Sequence, residues 1–147
     1  MTKHDAMKKY FEPWVEKNVE DLLNFNFSPE SRDTVSFITN YAGKTIKQFI
    51  RGSSRKEYGF SIIIVKSYSL DSDDLNLQAM NFAQAFMDWL EEQNRKRIFP
   101  EFPENCRVLK IENMQNMPNL AGVNAEAGLA RYIVQCRLIY EENEVMT

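Results

Sequence analysis

The chain has 147 residues, 44% of them hydrophobic and 27% charged, which excludes a disordered or collagen-like chain and fits one domain able to bury a core without metal or disulfide staples. With 18 Lys and Arg against 21 Asp and Glu, the net charge of −3 offers no global attraction to nucleic acid or an anionic membrane, although a local patch can still act. The single histidine, His4, sits at the edge of the chain, which removes most metal and acid–base schemes built on histidine.

The first predicted element is a helix. Met7, Phe11, Trp14, Val15, Val19, Leu22 and Leu23 recur at three- and four-residue steps, while Lys8, Lys9, Glu16, Lys17, Glu20 and Asp21 take the other face. Pro13 interrupts the pattern, so either the main helix starts there or it is kinked. Asn24 to Pro29 favours caps and turns and ends the element.

From Thr34 to Tyr41 the residues are β-branched and aromatic, and a strand is expected. Ala42-Gly43 reads as a turn, Lys44 to Arg51 as the returning strand, and Gly52-Ser53-Ser54 as a second turn. Tyr58 to Ser69 is the strongest strand. Its run Phe60, Ile62, Ile63, Ile64 and Val65 suggests a central position covered on both faces, closing an antiparallel meander of three strands.

Ser72 or Asp73 can cap a second helix, with Leu75, Ala79, Phe82, Ala83, Phe86, Trp89 and Leu90 on one face and Arg95, Lys96 and Arg97 where cations suit a C-terminus. Phe86 and Trp89 are expected on the sheet around Ile62 and Ile64. Phe99-Pro-Glu-Phe-Pro103 is an extended linker, Arg107 to Asn113 a strand, and Met114 to Gly128 a long polar loop. In the last strand Ala130, Tyr132, Val134, Cys136, Leu138 and Tyr140 alternate with Arg131, Gln135 and Arg137, leaving one wet face. The order α-β-β-β-α-β-β gives a single α+β domain over residues 1–147, an antiparallel sheet packed against two helices with a long loop at about 114–128.

No stretch approaches the about 18 consecutive apolar residues that cross a bilayer. The opening Met-Thr-Lys-His-Asp-Ala-Met-Lys-Lys has no apolar core after its basic residues and does not read as a secretory signal. Two cysteines do not make a disulfide framework, so a reduced, cytoplasmic setting is expected. If the last two strands pair about a loop centred near Ala121, Cys106 falls opposite Cys136 and a bond is sterically allowed, against the inferred compartment. A cysteine nucleophile would have only His4 as partner, and small buried thiols are the simpler reading.

Asp71-Ser-Asp73-Asp74 resembles the opening of a calcium loop, but it lacks the glycine at the sixth position and Phe82 stands where the bidentate glutamate belongs. Helix capping and dipole compensation account for these acids. Lys44, Lys47, Arg51, Arg55 and Lys56 form an acid-free basic run, suited either to phosphate or an acidic partner, or to solubility and protection of a sheet edge. The 114–128 loop, with Met114, Met117, Leu120 and Val123, reads as a docking arm for another chain or as a mobile hairpin tip.

The amphipathic opening helix, Tyr58-Gly-Phe-Ser-Ile-Ile-Ile-Val65, Tyr68-Ser-Leu-Asp-Ser-Asp-Asp-Leu-Asn76, Met87-Asp-Trp-Leu-Glu-Glu-Gln93 and Ala130-Arg-Tyr-Ile-Val-Gln-Cys-Arg-Leu-Ile-Tyr140 together cover nearly the whole chain. In these, and in element order, it resembles the tail terminator, or tail-completion, proteins of long-tailed bacteriophages and prophages, often grouped with minor capsid proteins. That resemblance implies a non-enzymatic α+β subunit with no cofactor, metal or catalytic residue. It would form a hexameric ring that caps the tail tube and meets the head connector, in the host cytoplasm during assembly and in the virion tail or neck afterwards. Neither membrane nor sequence-specific nucleic acid is expected as a partner. A ring needs two unlike surfaces. Lys44, Lys47, Arg51, Arg55 and Lys56 can supply one, and Glu141, Glu142 and Glu144, or Glu91 and Glu92, the other, with apolar contact from Met117, Leu120 and Val123. The alternatives are a small-ligand or regulatory module with a pocket between helices and sheet, and a cysteine-dependent enzyme.

Overall fold

The structure, a computed structural model, describes residues 2–19, 23–26, 34–68, 73–115, 117–124 and 126–143, with the backbone alone at residues 73 and 75. Glu20, Asp21, Leu22, residues 27–29, Ser69, Asp71, Ser72, the side chains of Asp73 and Leu75, and Glu144 lie outside that description, and with them most of the calcium-like acids and the proposed cap of the second helix.

Helix α1 spans Lys3–Asn18. It starts at Thr2, whose hydroxyl accepts from the Asp5 N–H while the Asp5 carboxylate accepts from the Thr2 N–H at 2.8 Å, a reciprocal cap. Pro13 is therefore interior and is not a helix start. Its missing N–H removes the bond that would reach the carbonyl of Lys9. Asn24–Phe25, expected to be turn, is a short strand β1 lying parallel to Ser36 and Phe37. Asn26 follows at φ 60°, a conformation asparagine tolerates, and its side chain accepts from the Thr39 N–H.

Strands β2 (Thr34–Gln48) and β3 (Ser54–Ser67) form one long hairpin in place of the expected meander. Ala42-Gly43 is not a turn. Gly43, at φ 85°, sits where the pairing register slips between Ala42 and Lys44, so the strand bulges and continues. The one reversal follows Gln48, closed by the Phe49 N–H donating to the Ser53 carbonyl at 2.9 Å.

Helix α2 (Asp73–Arg95) is followed by β4 (Cys106–Asn113), β5 (Asn119–Asn124) and β6 (Leu129–Glu142). The sheet order is β1-β2-β3-β6-β4, with β5 also on β6. Strand β4 pairs with Cys136–Glu142 and β5 with Leu129–Ile133, so the two lie end to end along one edge. The expected 114–128 loop thus holds a strand. The fold is α+β in roughly the expected order: the third expected strand is β3, the first two are merged in β2 with β1 added before them, and three strands instead of two follow α2. Cys106 faces Glu142, and Cys136 faces Asn113, so the anticipated cysteine register is wrong by six residues and both thiols are free.

Alternation places Tyr58, Phe60, Ile62 and Ile64 of β3 and Tyr132, Val134, Cys136, Leu138 and Tyr140 of β6 on one face, all 4% exposed or less. Both helices pack there. Phe11 sits at the centre, its ring 5.5–5.9 Å from those of Phe37, Phe60, Phe86 and Trp89. Strand β3 is central and largely shut from water on both faces, as expected: away from the helices Glu57, Ser61 and Val65 are 6%, 7% and 2% exposed, although that face also carries charge. Phe86 is fully buried, whereas Trp89 is half-buried, packed against the core with its ring beside those of Tyr10, Phe11 and Trp14 of α1.

Candidate functional site

The hairpin of β2 and β3 carries the basic run to one end of the sheet. Lys44, Lys47 and Arg51 are exposed and form no ion pair with a described residue, while Lys44 and Lys47 lie over the rings of Tyr41 and Phe49. Arg55 and Lys56 are used inside the chain. The antiparallel register sets Arg55 beside Glu141 and Ser54 beside Glu142. Arg55 and Arg107 then reach Glu141 at 3.1 and 3.0 Å, and Lys56 and Lys3 reach Glu142 at 2.7 and 3.5 Å. Hydrogen bonds from Arg55 and Arg107 hold the Glu141 carboxyl below its ordinary value, and the Lys56 bond does the same for Glu142 against the opposing effect of burial. The acids expected to meet the basic run of a neighbouring subunit thus meet it within their own chain. Glu92 is likewise paired with Arg95 and with Lys96, the latter at 3.4 Å.

The face of the sheet away from the helices carries a second charged assembly, not foreseen from the sequence. Tyr41 donates to Glu57, Arg137 bridges Glu57 at 3.1 Å and Glu112 at 2.6 Å, and Lys110 reaches Glu112 at 3.3 Å. The ladder crosses four adjacent strands. Burial and the bond to Glu57 push the Tyr41 hydroxyl up to about 12. The Tyr41 ring lies where a Cβ on Gly59 would stand, which explains a glycine in the middle of a central strand.

At the opposite end of the sheet, β5 is exposed at every residue and carries no charge. Met117, Leu120 and Val123 are 58%, 48% and 44% exposed, so the apolar residues expected to dock are on the surface. Leu120 pairs with Tyr132 and, with Tyr68, Asp74, Leu77 and Met80, lines a groove of about 420 Å³. Val123 borders a separate recess with Val65 and Leu129. Strand β5 is an edge strand without the lysines or prolines that usually discourage edge pairing.

A larger cleft of about 610 Å³ opens between α1 and the segment after α2, floored by Tyr10, Pro13, Trp14 and Trp89 and rimmed by Lys9, Lys17 and Glu101. The Tyr10 hydroxyl donates to the Ile98 carbonyl at 2.7 Å and fixes one wall. Neither cysteine is activated: burial pushes both thiols up. His4 is committed to a polar chain under α1, with Nδ1 2.7 Å from the Tyr58 hydroxyl, itself 2.8 Å from Thr39 Oγ1. No helix among the described residues is long and apolar enough to cross a membrane, and no group of three or more His, Cys, Asp or Glu among them is arranged to hold a metal. No known protein-family profile and no curated protein matches the chain.

Proposed function

We propose that this chain is a phage or prophage tail terminator or head–tail joining subunit, a non-enzymatic protein that assembles as a hexameric ring on the tail tube and meets the head connector. One observation carries the reading. The sheet ends in two unlike exposed projections, a basic hairpin at one end and the uncharged β5 edge with Leu120 at the other. Closed rings are built from pairs of unlike surfaces. The resemblance in element pattern supports the same reading. Because Glu141 and Glu142 pair within the chain, the contact between subunits falls on Leu120 and its apolar neighbours, with Lys44, Lys47 and Arg51 as steering charges.

Light scattering across a concentration series, with electron microscopy of the concentrated protein, tests this. Mass should rise towards six subunits with ring-shaped particles, alone or on added tail tubes. A monomer at every concentration that also ignores tail tubes overturns it. The aromatic cleft favours a second reading, a small-ligand module whose ligand combines a flat apolar body for Trp14 and Trp89 with an anionic group for Lys9 or Lys17. Calorimetry with aromatic carboxylates would show saturable binding by a monomer in that case.

A further inference from the structure

We propose that copies of this chain join head to tail, the β2–β3 turn of one copy seating Ile50 in the Leu77–Leu120 groove of the next. This rests on the ring reading and names its contact. Ile50 is fully exposed, at 106%, more than any other large apolar residue among those described. It is also held in place. The Gly52 N–H donates to the Phe49 carbonyl at 3.2 Å, and the Phe49 ring is flanked by Lys47 and Arg55 at 5.3 and 5.8 Å. A turn closed by backbone hydrogen bonds loses less freedom on docking than an open loop would.

The groove offers the matching chemistry. Its walls are Tyr68, Leu77, Met80, Leu120 and Tyr132, and Leu77 and Leu120 stand 57% and 48% exposed. Its volume of about 420 Å³ leaves room for an isoleucine side chain. Exposed Asp74 borders it and offers a carboxylate to Lys47 or Arg51 of an incoming turn. The knob adjoins Ser54 and Glu142 and the hole adjoins Ser67 and Leu129, the two ends of the 14-residue β3, roughly 45 Å apart at about 3.3 Å per residue. One molecule therefore cannot fill its own groove. A second copy can, through a heterologous contact that leaves a free knob and a free hole to propagate until the ring closes.

Sedimentation velocity on the full chain, on Ile50→Asp, on Leu77→Arg and on their equimolar mixture tests the pairing. The wild type should assemble with concentration, and each variant alone should associate at least tenfold more weakly. The mixture should form dimers and nothing larger, since one intact knob and one intact hole remain. Both side chains are exposed, so melting temperatures should match the wild type. If either falls, Ile50→Ser and Leu77→Ser repeat the test. Variants that assemble like the wild type, or a mixture no better than its components, overturn this contact and leave the ring reading standing. A wild type that is monomeric at every concentration, with and without tail tubes, removes both.

Discussion

The two faces of one sheet solve the burial problem in opposite ways. Under the helices, β3 and β6 present Tyr58, Phe60, Ile62, Tyr132, Val134 and Leu138 to a cluster of rings centred on Phe11. On the other face the same strands present Glu57, Gly59 and Arg137 to the Tyr41–Glu57–Arg137–Glu112 ladder. The first face gains from area removed from water, which is insensitive to direction. The second depends on each charge finding its partner, because a charge left alone in partial burial costs more than the pair contributes. The apolar face should therefore tolerate changes that keep volume, and the charged face should tolerate changes that keep pairing.

The largest expected effect is on the apolar face. Phe11→Ala opens a cavity among four rings and should cost about 3–5 kcal/mol, a large share of the about 5–15 kcal/mol that holds a domain together. Trp89→Ala, at a half-buried ring between α1 and α2, should cost less, about 1–3 kcal/mol. Denaturant melts of the two variants check the order, and equal losses would mean that the helix–helix seam matters as much as the sheet. Next comes Arg137→Met, which strands Glu57, only 8% exposed, and frees Glu112, for a loss of about 2–3 kcal/mol. Adding Glu57→Gln should recover part of that loss, which no apolar cavity would do.

Regular periodicity was readable in advance, and edges were not. The stripe Met7, Phe11, Val15 and the run Ile62 to Val65 reveal α1 and β3 from spacing alone. Gly43 misleads because positive φ serves both a tight turn and a bulge, and only pairing with β3 decides between them. Strand β5, Asn-Leu-Ala-Gly-Val-Asn, has little intrinsic strand preference. It is extended because β6 leaves an edge open beyond the end of β4. The register that sets Ser54 against Glu142 is a long-range fact, so the pairing of Glu141 and Glu142 with their own chain's cations could not be seen in the local sequence. Ile50 lies inside the basic run, and its full exposure depends on the hairpin that carries it, which the local sequence does not show.

A smaller effect probes the charged face without touching its charges. Gly59→Ala puts a methyl group where the Tyr41 ring lies, so the ring must lift and its bond to Glu57 lengthen. The expected loss is about 1–2 kcal/mol. Tyr41→Ala in the same background should remove the clash, making the pair of changes less costly than their sum. Strict additivity would mean that the ring already has room to move.

The smallest effect is the acid dependence. Burial raises Glu112, but hydrogen bonds from Arg137 and Lys110 and their charges outweigh it, leaving its carboxyl below the ordinary 4.5. Glu141 and Glu142 lie on the same side of that value for the reasons given by their own cations. A carboxyl whose folded value is depressed contributes stability that is fully present above its unfolded value and disappears as pH falls through the folded one. The melting temperature should therefore hold between neutrality and about pH 5, then decline below about 4.5 as these pairs are protonated. Glu112→Gln should melt lower at neutrality and show a shallower decline, whereas Phe11→Leu, which alters only the apolar face, should shift the curve without changing its slope. Screening by salt should flatten the part due to Glu141, whose partner Arg107 is 74% exposed, more than the part due to Glu112, whose partner Arg137 is 35% exposed. An acid limb of equal steepness in wild type and Glu112→Gln would place the titrating groups outside the ladder.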